Sequence, residues 1–155
     1  MSERPALADA LSAEITGFEA LNRVLEEESA ALVGADVDRL LSLSDDKARA
    51  VEHLAELAQA RSAALHATSL DPRADTFRAQ IAAHDSRLPS LWTRLVCVAT
   101  QARERNRSNG ELLASRMAHN RAALDTFHAA ARHHSIYGPD GQSLFQSANR
   151  VLGQA

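Results

Sequence analysis

The sequence has few of the residues that build disulfide-linked, β-rich or membrane-spanning proteins. Its 155 residues include one cysteine, Cys97, so no disulfide can form within the chain. Aromatic residues make up only 4%, so a core must consist mainly of leucine, valine and alanine. Glycine and proline are few and clustered, which favours a few long helices over many short elements.

No apolar run approaches the roughly 20 residues that a membrane-spanning helix needs. The first residues, Met-Ser-Glu-Arg-Pro, also lack the apolar stretch of a signal peptide. These two observations predict a cytoplasmic protein without stable insertion into a membrane.

Charge is unevenly distributed along the chain. Residues 1–71 carry a formal charge of −8 and residues 72–155 carry +5, which together give the net charge of −3. This distribution favours an acidic first half that packs beside a basic second half. Binding of nucleic acid by the basic half is a weaker interpretation, because its basic residues are scattered without interleaved aromatic residues. We therefore predict no nucleic-acid partner.

The first half of the chain contains two apolar stripes at helical spacing. They cover about residues 7–32 and 37–65, and Gly34 breaks the pattern between them. Asp36 can cap the second helix. Such a short connection favours an antiparallel helical hairpin. The second stripe consists of Val37, Leu40, Leu41, Ala48, Val51, Leu54, Ala58 and Leu65.

A third periodic segment follows the break at Pro72 and extends from about Ala74 to Phe127. Pro89 interrupts it, so we expect a kink or a new helix start there. The sequence thus predicts an all-α fold, an antiparallel bundle of three long helices. The apolar seam of the third segment consists of Phe77, Ile81, His84, Leu88, Leu91, Leu95, Val98, Ala102, Asn106, Asn109, Leu113, Met117, Asn120, Leu124 and Phe127.

The last part of the chain has a different character. The segment from Tyr137 to Gly141 is typical of turns and loop. Beyond it, Leu144, Phe145, Ala148, Val151 and Leu152 fall at the spacing of a short amphipathic helix. Such a helix is too short to be stable without a partner. We therefore predict a helical bundle domain over residues 1–135 and a flexible amphipathic tail over residues 136–155.

Catalysis or metal binding requires reactive groups that converge. The densest histidine group is His128, His133 and His134, but its spacing does not place two ligands one turn apart on a helix. No glycine-rich phosphate loop, nucleophile motif or carboxylate pair is present. We predict no catalytic residue, no metal and no cofactor.

Three asparagines, Asn106, Asn109 and Asn120, lie on the otherwise apolar seam of the third segment. An asparagine in a helical seam can fix the register or the choice of partner. Alternatively, this end of the bundle is open to water and the amides are solvated. Both interpretations predict that the distal part of the third segment is less tightly paired than the proximal part.

The same region carries a resemblance to a known family. The segments Asn106-x-x-Asn109-Gly110-x-Leu112-Leu113, Asn120-x-x-x-Leu124 and Tyr137-Gly138-x-Asp140-Gly141-Gln142 resemble the C-terminal signature of the FlgN family. The resemblance implies a soluble type III export chaperone for the hook-associated proteins of the flagellar hook–filament junction. It also implies that Tyr137 helps to dock the complex on the flagellar export gate.

From the resemblance and the apolar faces together, we predict client binding in the distal third helix and the tail. The predicted client-binding residues are Asn106, Asn109, Leu113, Met117, Asn120, Leu124, Leu144, Phe145, Val151 and Leu152. The main alternative is a structural coiled-coil or scaffold protein that self-associates through the same stripes. A metal-dependent helical-bundle enzyme would need inward-facing Glu-x-x-His motifs, which the sequence lacks.

Overall fold

The computed structural model describes the backbone of residues 6–134 and the side chains of residues 6–132. Every element in this range is a helix, which confirms the all-α class for the described part of the chain. Four helices replace the three long ones predicted, because the third periodic segment is divided in two. The helices are α1 (Leu7–Gly34), α2 (Val37–Ala67), α3 (Phe77–His84) and α4 (Leu88–His134).

The turn between α1 and α2 is closed by local hydrogen bonds. The backbone N–H of Arg39 donates to the carboxylate of Asp36 at 3.0 Å, which confirms the predicted cap. Gly34 was predicted to break the helix but is its last residue, and Ala35 takes the left-handed conformation with φ 53°. The N–H of Asp36 also donates to the carbonyl of Ala31 at 3.0 Å, so Asp36 ends one helix and begins the next.

The division between α3 and α4 is made at Asp85. Its carboxylate accepts a hydrogen bond from the backbone N–H of Arg87 at 2.9 Å and one from the Arg87 guanidinium at 2.7 Å. These bonds lower the pKa of Asp85 to about 2. Pro89 is the second residue of α4, where its missing N–H costs no hydrogen bond, so the predicted new start is confirmed. His84 is the last residue of α3 and is exposed, so its predicted place in the apolar seam is wrong.

Contacts within the chain divide it into two units, Met1–Leu112 and Leu113–Ala155, and α4 contributes residues to both. The predicted boundary after residue 135 lies at the edge of the described residues and stays a prediction. No helix in the described range is long and apolar enough to cross a membrane.

The core of the first unit has two clusters. The first, around Leu11 and Ile81, receives side chains from all four helices, including Phe77 of α3. The second has contributions from α1, α2 and α4 only. Its buried members are Leu21, Leu25, Leu54 and Ala102.

Two ion pairs join α1 to α2, Glu14 to Arg61 and Glu28 to Lys47. Residue numbers therefore rise along α1 where they fall along α2. Gly17 lies between these points and permits a close approach. A Cβ atom at Gly17 would lie 2.8 Å from a methyl carbon of Leu57. Glycine at this position therefore has a packing role.

The predicted stripe of α2 is only partly buried. Leu54 and Leu65 are in the core, but Val37, Leu41, Ala48 and Val51 are exposed. Leu43 and Ala64, which the prediction omitted, are buried instead. The apolar residues of α2 cover more than one face, and among the described residues the side that carries Val37, Leu41, Ala48 and Val51 stays uncovered.

In the first unit, α4 packs along α1 in the same direction. Ion pairs join Glu19 to Arg94 and Glu26 to Arg105, so the residue numbers rise together along the two helices. In the second unit, the described residues form the last part of α4. Over residues 113–132, all side chains are exposed except that of Arg116, which is half-buried.

Candidate functional site

The exposed apolar residues of the second unit form one row along α4, which we name the distal row. Its members follow one another at alternating steps of four and three residues, which places them on one face of the helix. The apolar members are between 45% and 68% exposed, and Phe127 is the most exposed of them. The distal row consists of Leu113, Met117, Asn120, Leu124 and Phe127.

Phe127 belonged to the predicted seam but not to the predicted client-binding set. The signal was present in its spacing, because Phe127 continues the row three residues after Leu124. The structure brings the predicted residues Leu113, Met117, Asn120 and Leu124 together in one exposed row, and Phe127 extends that row at its C-terminal end.

The three seam asparagines have different surroundings. Asn109 is only 5% exposed, and its Nδ2 atom donates to the carbonyl of Leu25 and to the carboxylate of Glu28, both at 2.8 Å. Solvation was therefore the wrong interpretation for Asn109, because both amide hydrogens bind α1. Asn106 and Asn120 are exposed and agree with that interpretation. Asn109 was among the predicted client-binding residues. Its side-chain amide already donates to Leu25 and Glu28, so in this structure it has no free donor for a client.

A second buried asparagine, Asn22, was missed by the sequence interpretation. Its Nδ2 atom donates to the carbonyl of Val98 at 3.0 Å, and Arg105 donates to its Oδ1 atom at 3.3 Å. Its position next to Leu21 and three residues before Leu25 places it beside the apolar stripe of α1, which was the available signal. Asn22 and Asn109 therefore join α1 to α4 by hydrogen bonds at two levels along the helices.

A buried carboxylate also contributes to the first unit. Glu14 is buried and accepts a hydrogen bond from Arg61 Nε at 2.5 Å. The Arg61 guanidinium lies 5.8 Å from the centre of the Trp92 ring, which packs edge-on against Phe77. This arrangement links all four helices. The buried charge of Glu14 is paired with Arg61 inside the fold and is not presented to a substrate.

The described residues contain no group of three or more histidine, cysteine or acidic side chains placed to hold a metal ion. Within the densest histidine group of the sequence, His128 is exposed and its ring lies 6.2 Å from that of Phe127. The side chains of His133 and His134 lie outside the described range. Cys97 is exposed.

The charge of the second unit is positive in its described part. Residues 113–132 include Arg116, Arg121 and Arg132 but only one acidic residue, Asp125. Cationic side chains beside an apolar row favour a partner helix with acidic flanks. The remaining predicted site residues, Tyr137, Leu144, Phe145, Val151 and Leu152, lie outside the described residues.

A comparison with protein-family models matches residues 1–144 to the family described as FlgN protein. The matched range contains all four helices and the distal row. No match was found among curated proteins or among solved structures.

Proposed function

Because the chain belongs to the FlgN family, a family of flagellar export chaperones, we propose that it is a cytoplasmic type III export chaperone for hook-associated proteins. In this role it binds the proteins of the hook–filament junction, prevents their premature assembly and delivers them to the flagellar export gate. It acts as a binding protein, without catalysis and without a metal or cofactor.

The distal row is the observation that carries this proposal. A helix that leaves Leu113, Met117, Leu124 and Phe127 exposed on one face has a surface suited to a second amphipathic helix. Full burial of one such side chain stabilises a complex by about 1.5–3 kcal/mol. Even after the cost of ordering both partners, several such residues supply useful affinity.

Polar groups give the row selectivity. Asn120 is exposed within the row and can exchange hydrogen bonds with a client helix. The arginines of this segment favour acidic residues on the flanks of the client helix. A client that leaves the chaperone at the export gate must bind it with only moderate affinity. Ordering a chain segment on binding lowers the net affinity for the client, which suits this requirement.

The first test compares two aspartate variants with equal exposure in the parent chain. Met117 is 63% exposed in the distal row, and Val37 is 64% exposed at the start of α2. Met117→Asp places a charge in the proposed interface and should weaken binding of purified hook-associated proteins by more than about tenfold. Val37→Asp should leave the affinity within roughly twofold. Isothermal titration calorimetry measures both affinities, and thermal melts check that both variants fold.

Equal affinities in the two variants would place the client elsewhere. Sedimentation of the free chain addresses the alternative function. A stable dimer that Met117→Asp dissolves, without any effect on client binding, would favour a self-associating scaffold and would contradict the chaperone proposal.

The tail contributes a second part of the proposed client site. Leu144, Phe145, Val151 and Leu152 carry the amphipathic spacing noted in the sequence. Changing Leu144 and Phe145 together to aspartate should weaken client binding by more than about tenfold while the first unit keeps its cooperative melt. A chain truncated after Gly141 should show the same loss. Unchanged affinity in both forms would remove the tail from the site.

Tyr137 is proposed to dock the loaded chaperone on the export gate. It lies between Ile136 and Gly138 in a segment whose composition predicts loop rather than core. Tyr137→Ala should therefore leave thermal stability and client affinity unchanged while it reduces secretion of the hook-associated proteins. A variant that loses its cooperative melt would assign the ring to packing instead.

A further inference from the structure

The first unit has an apolar groove that is separate from the distal row. It has a volume of about 320 Å³ and lies where α2 and α4 face each other across α1. We name it the central groove. Its floor is formed by Phe18, Leu21 and Leu25 of α1, and its walls by Lys47 and Val51 of α2 and by Ala99, Ala102, Arg103 and Asn106 of α4.

The packing of the first unit explains why this groove is present. At the level of the first core cluster, α3 supplies Phe77 and Ile81 as a fourth source of core side chains. α3 has only eight residues and does not contribute to the second cluster. There α4 contributes Ala102, whose methyl group fills little volume. The level of Leu21 and Leu25 therefore has three helices around a core that could accept a fourth.

The rim of the groove is positive. Lys47 binds Glu28 at 3.1 Å but keeps 30% of its side chain exposed. Arg103 is exposed, and no ion pair to it is found among the described residues. No carboxylate lines the groove, whereas two cationic side chains and the amide of Asn106 do. Charge complementarity therefore favours an occupant with acidic flanks.

We propose that the central groove binds an amphipathic α-helix of a partner protein, with large aliphatic residues on its apolar face and acidic residues along the edge beside Arg103. From Ala99 to Asn106 the groove wall covers about two helical turns, so the apolar face needs residues at i, i+3 or i+4, and i+7. This site does not depend on the client site proposed for the distal row.

The probe for this site is a synthetic peptide of about 20 residues, long enough to form a helix, with leucines on one face and glutamates on both flanks. A second peptide has the same leucines and lysine flanks. Fluorescence anisotropy with the full chain should show about tenfold tighter binding of the glutamate peptide at low salt. Arg103→Glu should reverse the preference between the two peptides.

Two valines of equal exposure provide the matched variants. Val51 is 52% exposed in the groove wall, and Val96 is 51% exposed on α4 outside the groove. Val51→Asp should weaken binding of the glutamate peptide by at least about tenfold, because it places a carboxylate in the apolar contact. Val96→Asp should change the affinity by less than roughly twofold.

Three results would overturn the proposal. The first is equal binding of both peptides to the parent chain, or no binding. The second is loss of binding in Phe127→Asp but not in Val51→Asp, which would place the peptide on the distal row. The third comes from a photo-crosslinking residue, p-benzoylphenylalanine, introduced in place of Val51. Crosslinks to residues 135–155 of the same chain, or to a second copy, would assign the groove to those occupants.

Discussion

The two parts of α4 have similar apolar spacing but differ in what covers them. In the first unit, Leu95, Val98 and Ala102 are buried against the other helices. In the second unit, Leu113, Met117, Leu124 and Phe127 continue at the same steps of three and four residues and are exposed. The spacing of apolar residues therefore identifies a face that can be covered, but not whether the chain itself covers it.

Asn109 lies at the end of the covered part. Its amide binds α1 and is buried, whereas Asn120 carries the same side chain eleven residues later and is exposed. The difference lies in the neighbours, because the carbonyl of Leu25 and the carboxylate of Glu28 accept both hydrogens of the Asn109 amide. A polar residue on an apolar seam can thus have a structural role at one position and be available to a partner at another.

The largest expected effect distinguishes a core residue of the first unit from a residue of the distal row. Leu25 is 1% exposed, and Leu25→Ala should lower the free energy of unfolding by about 2–5 kcal/mol through lost burial and a residual cavity. Leu124→Ala in the distal row should change it by less than about 0.5 kcal/mol. Urea unfolding measures both values. Comparable losses would show that the distal row is covered within the free chain.

The next effect concerns the buried ion pair of the first unit. Arg61→Met removes the partner of buried Glu14 and should lower the free energy of unfolding by about 2–4 kcal/mol, since Arg61 itself is partly exposed. The control is Arg94→Met, which breaks an exposed pair with Glu19 and should cost less than about 1 kcal/mol. Thermal or urea unfolding at neutral pH distinguishes them, and equal losses would refute the assigned burial.

A smaller effect tests the two asparagines directly. Asn109→Ala removes hydrogen bonds to Leu25 and Glu28 and should cost about 1–2 kcal/mol of unfolding free energy. Asn120→Ala should leave stability within about 0.5 kcal/mol and should weaken client binding instead. A stability loss from Asn120→Ala equal to that from Asn109→Ala would contradict the difference in their surroundings.

The smallest effect is the dependence of stability on pH at the start of α4. The bonds from Arg87 lower the folded-state pKa of Asp85 to about 2 from an ordinary value of 3.8. The stabilisation is therefore present above pH 4 and is lost as the pH falls towards about 2. Asp85→Asn should remove this component of the acid dependence. In Arg87→Leu, an NMR titration should find the Asp85 pKa closer to its ordinary value.

Local signals in the sequence predicted the helical elements well. Asp36 provided a cap and Pro89 marked a helix start, because both depend on backbone chemistry within a few residues. The prediction of three long helices did not count α3 as a separate helix, because its eight residues continue the spacing of the segment that follows. Pro89 predicted the interruption, and the hydrogen bonds at Asp85 show where it lies.

Tertiary surroundings could not be predicted from the same signals. Val37 and Leu41 have the spacing of buried residues but are exposed, because no described element covers that side of α2. Glu14 and Asn22 are polar and buried, and each depends on a partner more than 40 residues away. For the distal row, the asparagines on the seam predicted weaker pairing than in the proximal part, and the exposure of Leu113, Met117, Leu124 and Phe127 agrees with that prediction.

Hydrogen exchange along α4 is the most direct test of the account, since it compares both parts of the helix in one experiment. In the free chain, amides of residues 113–132 should exchange faster than those of residues 95–109. Saturation with a purified hook-associated protein should slow exchange over residues 113–132 by at least about tenfold and change residues 95–109 by less than roughly twofold. Protection that falls on residues 95–109 instead, or that is absent from both parts, would contradict the distal row as the client site.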